Sequence, residues 1–189
     1  CTRRDLTINS LYYDISADRM LDLCGMALAD IKNKIIRTPA DPERTFDDDP
    51  LRIVRCIRFA CSFGWEIHPE TMVALKKNPA SIKIASKERI RSEFDKLISC
   101  QAPAKALEML EQCGIMSVIM PELSPIFGMP DNSSNQGSVW QHTLRTVKAM
   151  AGISSDVNMR LAALLCDAGK ALSYTRHDNG KVTFPRHDR

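Results

Sequence analysis

Residues 47–64 read DDDPLRIVRCIRFACSFG and carry both the start and the stop signals of a helix. Three aspartates precede Pro50. An aspartate can cap the free N–H groups of a helix, and proline suits its first position. Gly64 provides a stop at the other end, so the sequence predicts a helix that runs to about Ser62. Most other segments with a regular apolar pattern also have helical spacing, which predicts a mainly helical protein.

Arginines recur at every third position of this predicted helix, at Arg52, Arg55 and Arg58. Because a helix turns by about 100° per residue, they form a slowly drifting stripe beside an apolar stripe. Two interpretations stay open. The stripe is either a solvated surface, with acids that offset the helix dipole, or a set of guanidinium groups that bind a flat anionic ligand. In the second interpretation, Asp49 and Arg52 lie one turn apart and face the same way.

An aspartate beside an arginine has the hydrogen-bonding order that cytosine and adenine require. Both bases present an exocyclic amine donor next to a ring-nitrogen acceptor, whereas uracil and guanine present the reverse order. Asp49 and Arg52 could therefore select C and A without a nucleic-acid template. Arg55 and Arg58 could then meet a triphosphate or an RNA backbone.

Composition restricts the class of protein only broadly. The 189 residues are 44% hydrophobic and 26% charged, which is ordinary for a soluble globular protein. An apolar run long enough to span a membrane is missing, and the first residues lack the apolar core of a signal peptide. The formal net charge of +3 allows nucleic-acid binding without indicating it.

Seven cysteines are spread along the chain and never form a CxxC pair. The odd number and the apolar surroundings predict reduced thiols in a cytoplasmic protein. They argue against a disulfide framework and against a structural zinc site.

The remaining segments are predicted from short patterns. Residues 11–38 alternate apolar pieces with turn residues and predict a strand pair and a short helix. A connector rich in proline and acids is predicted at 38–50, and a boundary or long loop at 121–138. Further helices are predicted at 69–77, 86–100, 103–113, 139–150 and 156–168, with Ser86 as an N-cap and Gly114 as a C-cap.

Three segments resemble motifs of the class II tRNA nucleotidyltransferases, which are the CCA-adding enzymes and their poly(A) polymerase relatives. RRDLTINSL (3–11) resembles the motif RRDFTINAL. DDPLRIVRCIRFA (48–60) resembles the Glu-Asp-x-x-Arg segment, with Asp48 in place of the usual Glu. KERIRSEFDKL (87–97) resembles the downstream Glu-Arg-Ile…Glu motif. The segments follow the family order, and the resemblance covers nearly the whole chain. One departure is Cys24, which stands where the family usually has the first glycine of a Gly-Gly pair.

The resemblance implies a nucleotide site made of Arg4, Asp5, Asp49, Arg52, Arg55 and Arg58. Arg4 would contact the incoming nucleotide, and Asp5 would orient the ribose or the arginine. Asp49 and Arg52 would be the amino-acid template for CTP and ATP. Arg55 and Arg58 would bind the phosphates. Glu88, Arg89 and Glu93 would brace the template helix, although an ordinary amphipathic helix would show the same pattern.

The family's catalytic carboxylates lie upstream of the RRD motif, where they hold the Mg²⁺ ions of the reaction. No catalytic residue is therefore expected within this sequence. Asp47 and Asp49 spell Asp-x-Asp, but they stand at a helix start that belongs to another motif. The chain also opens on Cys1, so it is expected to be an excerpt of a longer enzyme and to be inactive alone.

The last part of the chain resembles an HD-type phosphohydrolase domain, in VWQHTLRTV (139–147) and RLAALLCDAGK (160–170). That resemblance implies His142, Asp167 and His187 as ligands of a divalent metal. Cys166 stands where the family has the histidine of its His-Asp doublet. Three interpretations remain open: a degraded site retained for the fold, an altered but active metal site, and an effect of where the chain is cut.

Together these observations predict a mainly α fold with three parts. They are the end of an α+β nucleotidyltransferase head (1–46), a helical neck and body (47–127) and a partial helical HD-like domain (128–189). The leading hypothesis is part of a tRNA nucleotidyltransferase that adds C and A, with CTP, ATP and the tRNA acceptor end as partners. The alternatives are a metal-dependent phosphohydrolase and a non-catalytic RNA-binding module. The sequence leaves open whether C and A, one of them or a poly(A) tail is added, and it does not predict the oligomeric state.

Overall fold

The computed structural model describes residues 3–131, 137–177 and 182–185, and this part of the chain is mainly helical, as predicted. The helices are α1 Ala27–Asn33, α2 Pro42–Asp48, α3 Leu51–Phe63, α4 Pro69–Leu75, α5 Lys87–Ile98, α6 Pro103–Gln112, α7 Ile115–Ile119, α8 Val139–Ile153, α9 Val157–Leu165 and α10 Lys170–Ser173. The strands are β1 Leu11–Asp14, β2 Arg19–Asp22, β3 Ile35–Ile36, β4 Glu66–Ile67, β5 Thr175–Arg176 and β6 Val182–Thr183. Short 3-10 helices occupy Thr7–Asn9, Pro79–Ile84 and Pro121–Ile126. Among the described residues, every helix is too short or too polar to cross a lipid bilayer.

Helix α3 forms where the sequence predicts it and positions the arginine stripe. Its first N–H groups are satisfied in part by Asp49, whose carboxylate accepts from the Leu51 amide at 3.3 Å. Gly64 ends the helix in the left-handed region at φ 68°. The apolar face of α3 is buried, with α5 and α6 packed against it. The three arginines lie half-buried at the margin of that face.

The predicted connector at 38–50 contains a helix, α2, that the sequence pattern does not predict. Asp41 caps it by accepting a hydrogen bond from the Arg44 amide at 2.9 Å, and Pro42 occupies its first position. Thr45 and Phe46 are buried, and α2 packs against α3 and α4. These contacts stabilise a helix of seven residues that would be marginal in isolation.

Two small sheets organise the first third of the chain. Strands β1 and β2 form the predicted strand pair, which is antiparallel, and the predicted short helix, α1, follows them. Strand β3 pairs in parallel with β4, which lies beyond α3. A strand of two residues has no apolar period, so its pairing could not be predicted from the sequence.

The C-terminal helices share one hydrophobic core with the neck. Helix α8 packs against α6, and α9 packs against α5. The buried guanidinium of Arg160, on α9, donates to the carbonyls of Ile98 at 2.9 Å and Cys100 at 3.1 Å. The core therefore runs across residue 127, where the sequence predicts a domain boundary, and the three-part division stays a prediction.

The cysteines of the described residues are free thiols, namely Cys24, Cys56, Cys61, Cys100, Cys113 and Cys166. Four of them are buried in the helical core. Burial raises the pKa of Cys61 to about 11, so this thiol stays protonated near neutral pH.

Gly114→Ala is expected to lower the free energy of unfolding by about 1–2 kcal/mol. Gly114 has φ 73°, and a Cβ atom there would lie 3.2 Å from Pro79 Cγ. The matched control is Gly152→Ala, inside α8, where a Cβ meets open space. This control should stabilise the helix by about 0.5–1 kcal/mol, because glycine is a poor helix former. Urea unfolding measures both. Equal effects of the two substitutions would contradict the assignment of strain to Gly114.

Candidate nucleotide-binding site

The N-terminal segment, the start of α3 and the first half of α5 enclose a cleft of about 560 Å³. Its lining includes five of the six predicted nucleotide-binding residues: Arg4, Asp5, Asp49, Arg52 and Arg55. The sixth, Arg58, is not among the lining residues. The cleft thus brings together residues from three segments that are far apart in sequence.

The guanidinium of Arg52 is fixed by two backbone carbonyls. One Nη atom donates to the Thr45 carbonyl at 3.1 Å, and the other donates to the Arg3 carbonyl at 2.7 Å. These bonds use two of the five N–H groups of the guanidinium, which keeps further donors for a ligand. Arg52 is therefore oriented before any ligand binds.

Asp49 is held between two helices. One carboxylate oxygen accepts from the Leu51 amide, and the other accepts from Arg89 Nη2 at 2.7 Å. Arg89 lies in the first turn of α5, where its amide donates to the N-cap Ser86. A carboxylate has about four lone-pair positions, so Asp49 retains acceptor capacity.

Arg55 links α3 to the N-terminal segment. Its Nε and Nη2 atoms donate to one carboxylate oxygen of Asp5 at 2.8 and 2.6 Å. Burial alone would raise the pKa of Asp5, but hydrogen bonds from Asn9, Arg55 and the Leu6 amide outweigh it and hold the pKa below its ordinary value. Asp5 is thus a charged anchor for the arginine.

Glu93 is a buried carboxylate surrounded by cations. It is 5% exposed and pairs with Arg58 Nε at 3.0 Å, Lys96 Nζ at 3.1 Å and Arg55 Nη1 at 3.3 Å. Burial opposes ionisation, but the lysine hydrogen bond and the arginine charges lower the pKa of Glu93 below its ordinary value. The guanidinium of Arg58 also lies 4.2 Å from the ring centroid of Phe59. Arg58 is therefore engaged with Glu93 and Phe59 and does not itself line the cleft.

Arg4 is exposed at the cleft and contacts Tyr12, a residue that the sequence analysis did not single out. Its Nε donates to the Tyr12 hydroxyl at 3.3 Å, and its guanidinium lies 5.5 Å from the ring centroid. Tyr12 lies on β1, directly after the RRD motif. This position next to a nucleotide-binding motif is the sequence signal that could have identified Tyr12 as a site residue. The carbonyls of Arg3 and Thr45 carry no sequence signal, because every residue has one.

The free energy of unfolding is expected to fall below about pH 5, and Glu93→Gln should make that fall shallower. In the folded state the pKa values of Asp5 and Glu93 both lie below their ordinary values, so the unfolded chain binds more protons at acid pH. Their stabilisation is complete above those values and is lost as the pH falls through the folded-state pKa. Urea unfolding between pH 3 and 7 measures the slope. Glu108→Gln, at an exposed position on α6, is the control, and identical slopes in both variants would contradict the prediction.

Two of the three predicted metal ligands of the C-terminal part, His142 and Asp167, lie close together. His142 Nε2 lies 3.5 Å from Asp167 Oδ2, but the Cys166 thiol is hydrogen-bonded to the Ala163 carbonyl at 3.3 Å. His187 lies outside the described residues. Within the described part of the chain, no three histidine, cysteine or acidic side chains are grouped so that they could hold a metal ion.

Comparison with known proteins identifies the family from two separate regions. Residues 1–37 match the family model of the "Poly A polymerase head domain", and residues 64–127 match the "Probable RNA and SrmB-binding site of polymerase A". The tRNA nucleotidyltransferase cca1 of Schizosaccharomyces pombe is 41% identical over 124 residues, which are 64% of this chain and 25% of that protein. The chain belongs to the class II tRNA nucleotidyltransferase and poly(A) polymerase family. It spans about a quarter of the length of this curated family member.

Solved structures in this family have the same fold. A CCA-adding enzyme in complex with ATP matches with a TM-score of 0.66 and 23% identity, over 95% of this chain and 41% of that chain. A tRNA nucleotidyltransferase complexed with a primer tRNA and an incoming ATP analog matches with a TM-score of 0.67 and 22% identity, over 87% and 48% of the two chains. At this identity the likeness shows the fold alone, and it confirms the predicted head segment and helical body. The HD-like assignment of 128–189 stays a prediction.

Proposed function

We propose that this chain forms the nucleotide-selecting part of a tRNA nucleotidyltransferase that adds C and A to the tRNA 3′ end. The observation that carries the proposal is the pair Asp49 and Arg52 at the start of α3. Both side chains line the cleft, and protein groups orient each of them. Membership of the family supports nucleotidyl transfer as the reaction.

The selection follows from hydrogen-bond order. Asp49 accepts from the exocyclic amine of cytosine or adenine, while Arg52 donates to the neighbouring ring nitrogen. Uracil and guanine would place an oxygen against Asp49 and an N–H group against Arg52, which leaves both protein groups unsatisfied. A mismatch of this kind costs about 1–3 kcal/mol per contact.

The phosphates of the nucleotide meet a different part of the cleft. Arg4 is exposed there, and Arg55 lines it while Asp5 fixes its orientation. We assign Arg58 a supporting role, because Glu93 holds its side chain, which is only 14% exposed. Arg4 and Arg55 thus bind the phosphates, and Arg58 braces α3 against α5.

The chemical step needs more than these residues supply. Divalent metal ions activate the primer 3′-hydroxyl and stabilise the leaving pyrophosphate in reactions of this kind. The described residues form no site for such ions, because guanidinium groups already pair with the cleft carboxylates Asp5, Asp49 and Glu93. This part of the protein therefore binds, orients and selects the nucleotide.

The proposal is tested with the full-length protein that carries this chain. Incorporation from each of the four nucleoside triphosphates is measured on tRNA transcripts that end before the first C, the second C and the A. We expect incorporation of C and A and rejection of U and G. Equal incorporation of all four bases would contradict the template. Salt-sensitive tRNA binding without any incorporation would instead support the RNA-binding module, which the match of residues 64–127 favours as the second candidate.

A further inference from the structure

A lysine ammonium contacts Asp167, one of the predicted metal ligands of the C-terminal part. Lys170 is 7% exposed, and its Nζ atom lies 3.1 Å from Asp167 Oδ2 and 3.9 Å from Asp131 Oδ2. The same Asp167 oxygen lies 3.5 Å from His142 Nε2. These four residues, which we call the C-terminal corner, come from the end of the 121–131 segment, from α8 and from the two sides of the α9–α10 turn.

The surroundings of the ammonium favour a cation at this position. Asp131 and Asp167 are 4% and 6% exposed, and buried carboxylates require compensating positive charge. The ring of Phe184 lies 5.3 Å from Lys170 Nζ and adds the negative face of an aromatic ring. Lys170 thus receives the contacts that a bound cation would receive.

A divalent ion would compete for the same oxygens. Metal–oxygen bonds are about 2.0–2.6 Å long, so an ion bound to Asp167 would lie against the ammonium that already contacts this carboxylate. Within the described residues, Cys166 adds no ligand beside Asp167, because its side chain is exposed and bonded to the α9 backbone. Two features, the ammonium and the cysteine, therefore act against metal binding.

We propose that the Lys170 ammonium is the resident cation of the C-terminal corner and takes the place of a divalent metal ion. The corner then joins the 121–131 segment to α10 through the Lys170 ion pairs, and α8 reaches it through the contact of His142 with Asp167. It holds these elements together without a metal, and it does not support metal-dependent phosphoester hydrolysis.

The first test counts bound Mn²⁺ by electron paramagnetic resonance in the full-length protein and its Asp167→Asn variant. Both carry Cys166→Ser, so that a thiol cannot capture metal. Because the nucleotidyl-transfer site binds its own ions, the difference between the two proteins is the relevant quantity. We expect equal numbers of bound ions. One additional ion in the protein with Asp167 intact would overturn the proposal.

The second test separates the ammonium from the cysteine. Cys166→His restores the histidine of the doublet while Lys170 remains, and we expect it to add no bound Mn²⁺. A new Mn²⁺ site that disappears with Asp167→Asn would show that Cys166 alone excludes the metal, and the proposal would fail.

The third test measures stability. Lys170→Met should lower the thermal midpoint by about 5–10 °C, because it removes the ammonium from beside two buried carboxylates. Lys148→Met, at an exposed position on α8, should leave the midpoint unchanged. Equal midpoints for the Lys170 variant and the unsubstituted protein would overturn the proposal. If the Lys170→Met variant does not fold, the Mn²⁺ counts of the first two tests decide whether the proposal holds.

Discussion

Arg52→Ala is expected to lower kcat/KM for CTP and ATP by about 10- to 100-fold in the protein that carries this chain, while tRNA affinity stays unchanged. Arg52 Nη atoms are fixed on the carbonyls of Arg3 and Thr45, so the side chain is oriented before the base arrives. Alanine removes both that orientation and the donors for the ring nitrogen. The penalty against UTP and GTP should shrink at the same time, because their N–H group no longer meets a guanidinium.

The measurement is kcat/KM for each nucleoside triphosphate on one tRNA transcript, together with tRNA affinity at several salt concentrations. Arg91→Ala is the matched control, since Arg91 lies on α5 outside the cleft and pairs with Asp95 at 2.7 Å. It should change neither quantity. An equal loss for all four nucleotides, or a salt slope that falls by about 1, would show that Arg52 contacts phosphate.

Glu93→Ala is expected to destabilise the protein by about 2–4 kcal/mol. The substitution removes a buried carboxylate from between three cations and leaves Arg58 buried without its partner. The estimate lies below the upper end for buried pairs because Lys96 and Arg55 are partly exposed and can be solvated. Nucleotide binding should weaken as well, since Arg55 loses one of its two carboxylate partners.

Urea unfolding at neutral pH measures the first effect. Asp95→Ala is the control on the same helix, because its pair with Arg91 is exposed and should contribute less than about 0.5 kcal/mol. A similar loss in the two variants would mean that Glu93 does not hold α3 against α5.

Residues that begin and end helices made α3, and with it one side of the cleft, predictable from the sequence. The aspartates, Pro50 and Gly64 bound α3, and the spacing of Asp49 and Arg52 placed both on the cleft. The helix of 86–100 and its Ser86 cap were predicted for the same reason. Such signals act within one or two turns of the chain, so a single sequence contains them.

Long-range partners were not predictable in the same way. The backbone carbonyls that fix Arg52 belong to residues seven and forty-nine positions away, and no residue type marks a carbonyl acceptor. Arg58 follows the same spacing as Arg55, yet its guanidinium pairs with Glu93 and lies over Phe59, and Arg58 does not line the cleft. The Lys170 ammonium was likewise invisible, because the Asp131 carboxylate lies almost forty residues before it.

Because of Arg160, the stability of a recombinant fragment of this chain should depend on where the fragment ends. Its guanidinium closes the free carbonyls of Ile98 and Cys100 at the C-terminal end of α5, where helix carbonyls otherwise lack partners. A recombinant piece that stops at residue 127, where the family match ends, would leave that end of α5 open to fraying. The same helix carries Arg89 and Glu93, so the base selection that we propose would degrade when α9, which does not border the cleft, is cut away. The shortest piece that retains a faithful template should therefore extend at least to Leu165.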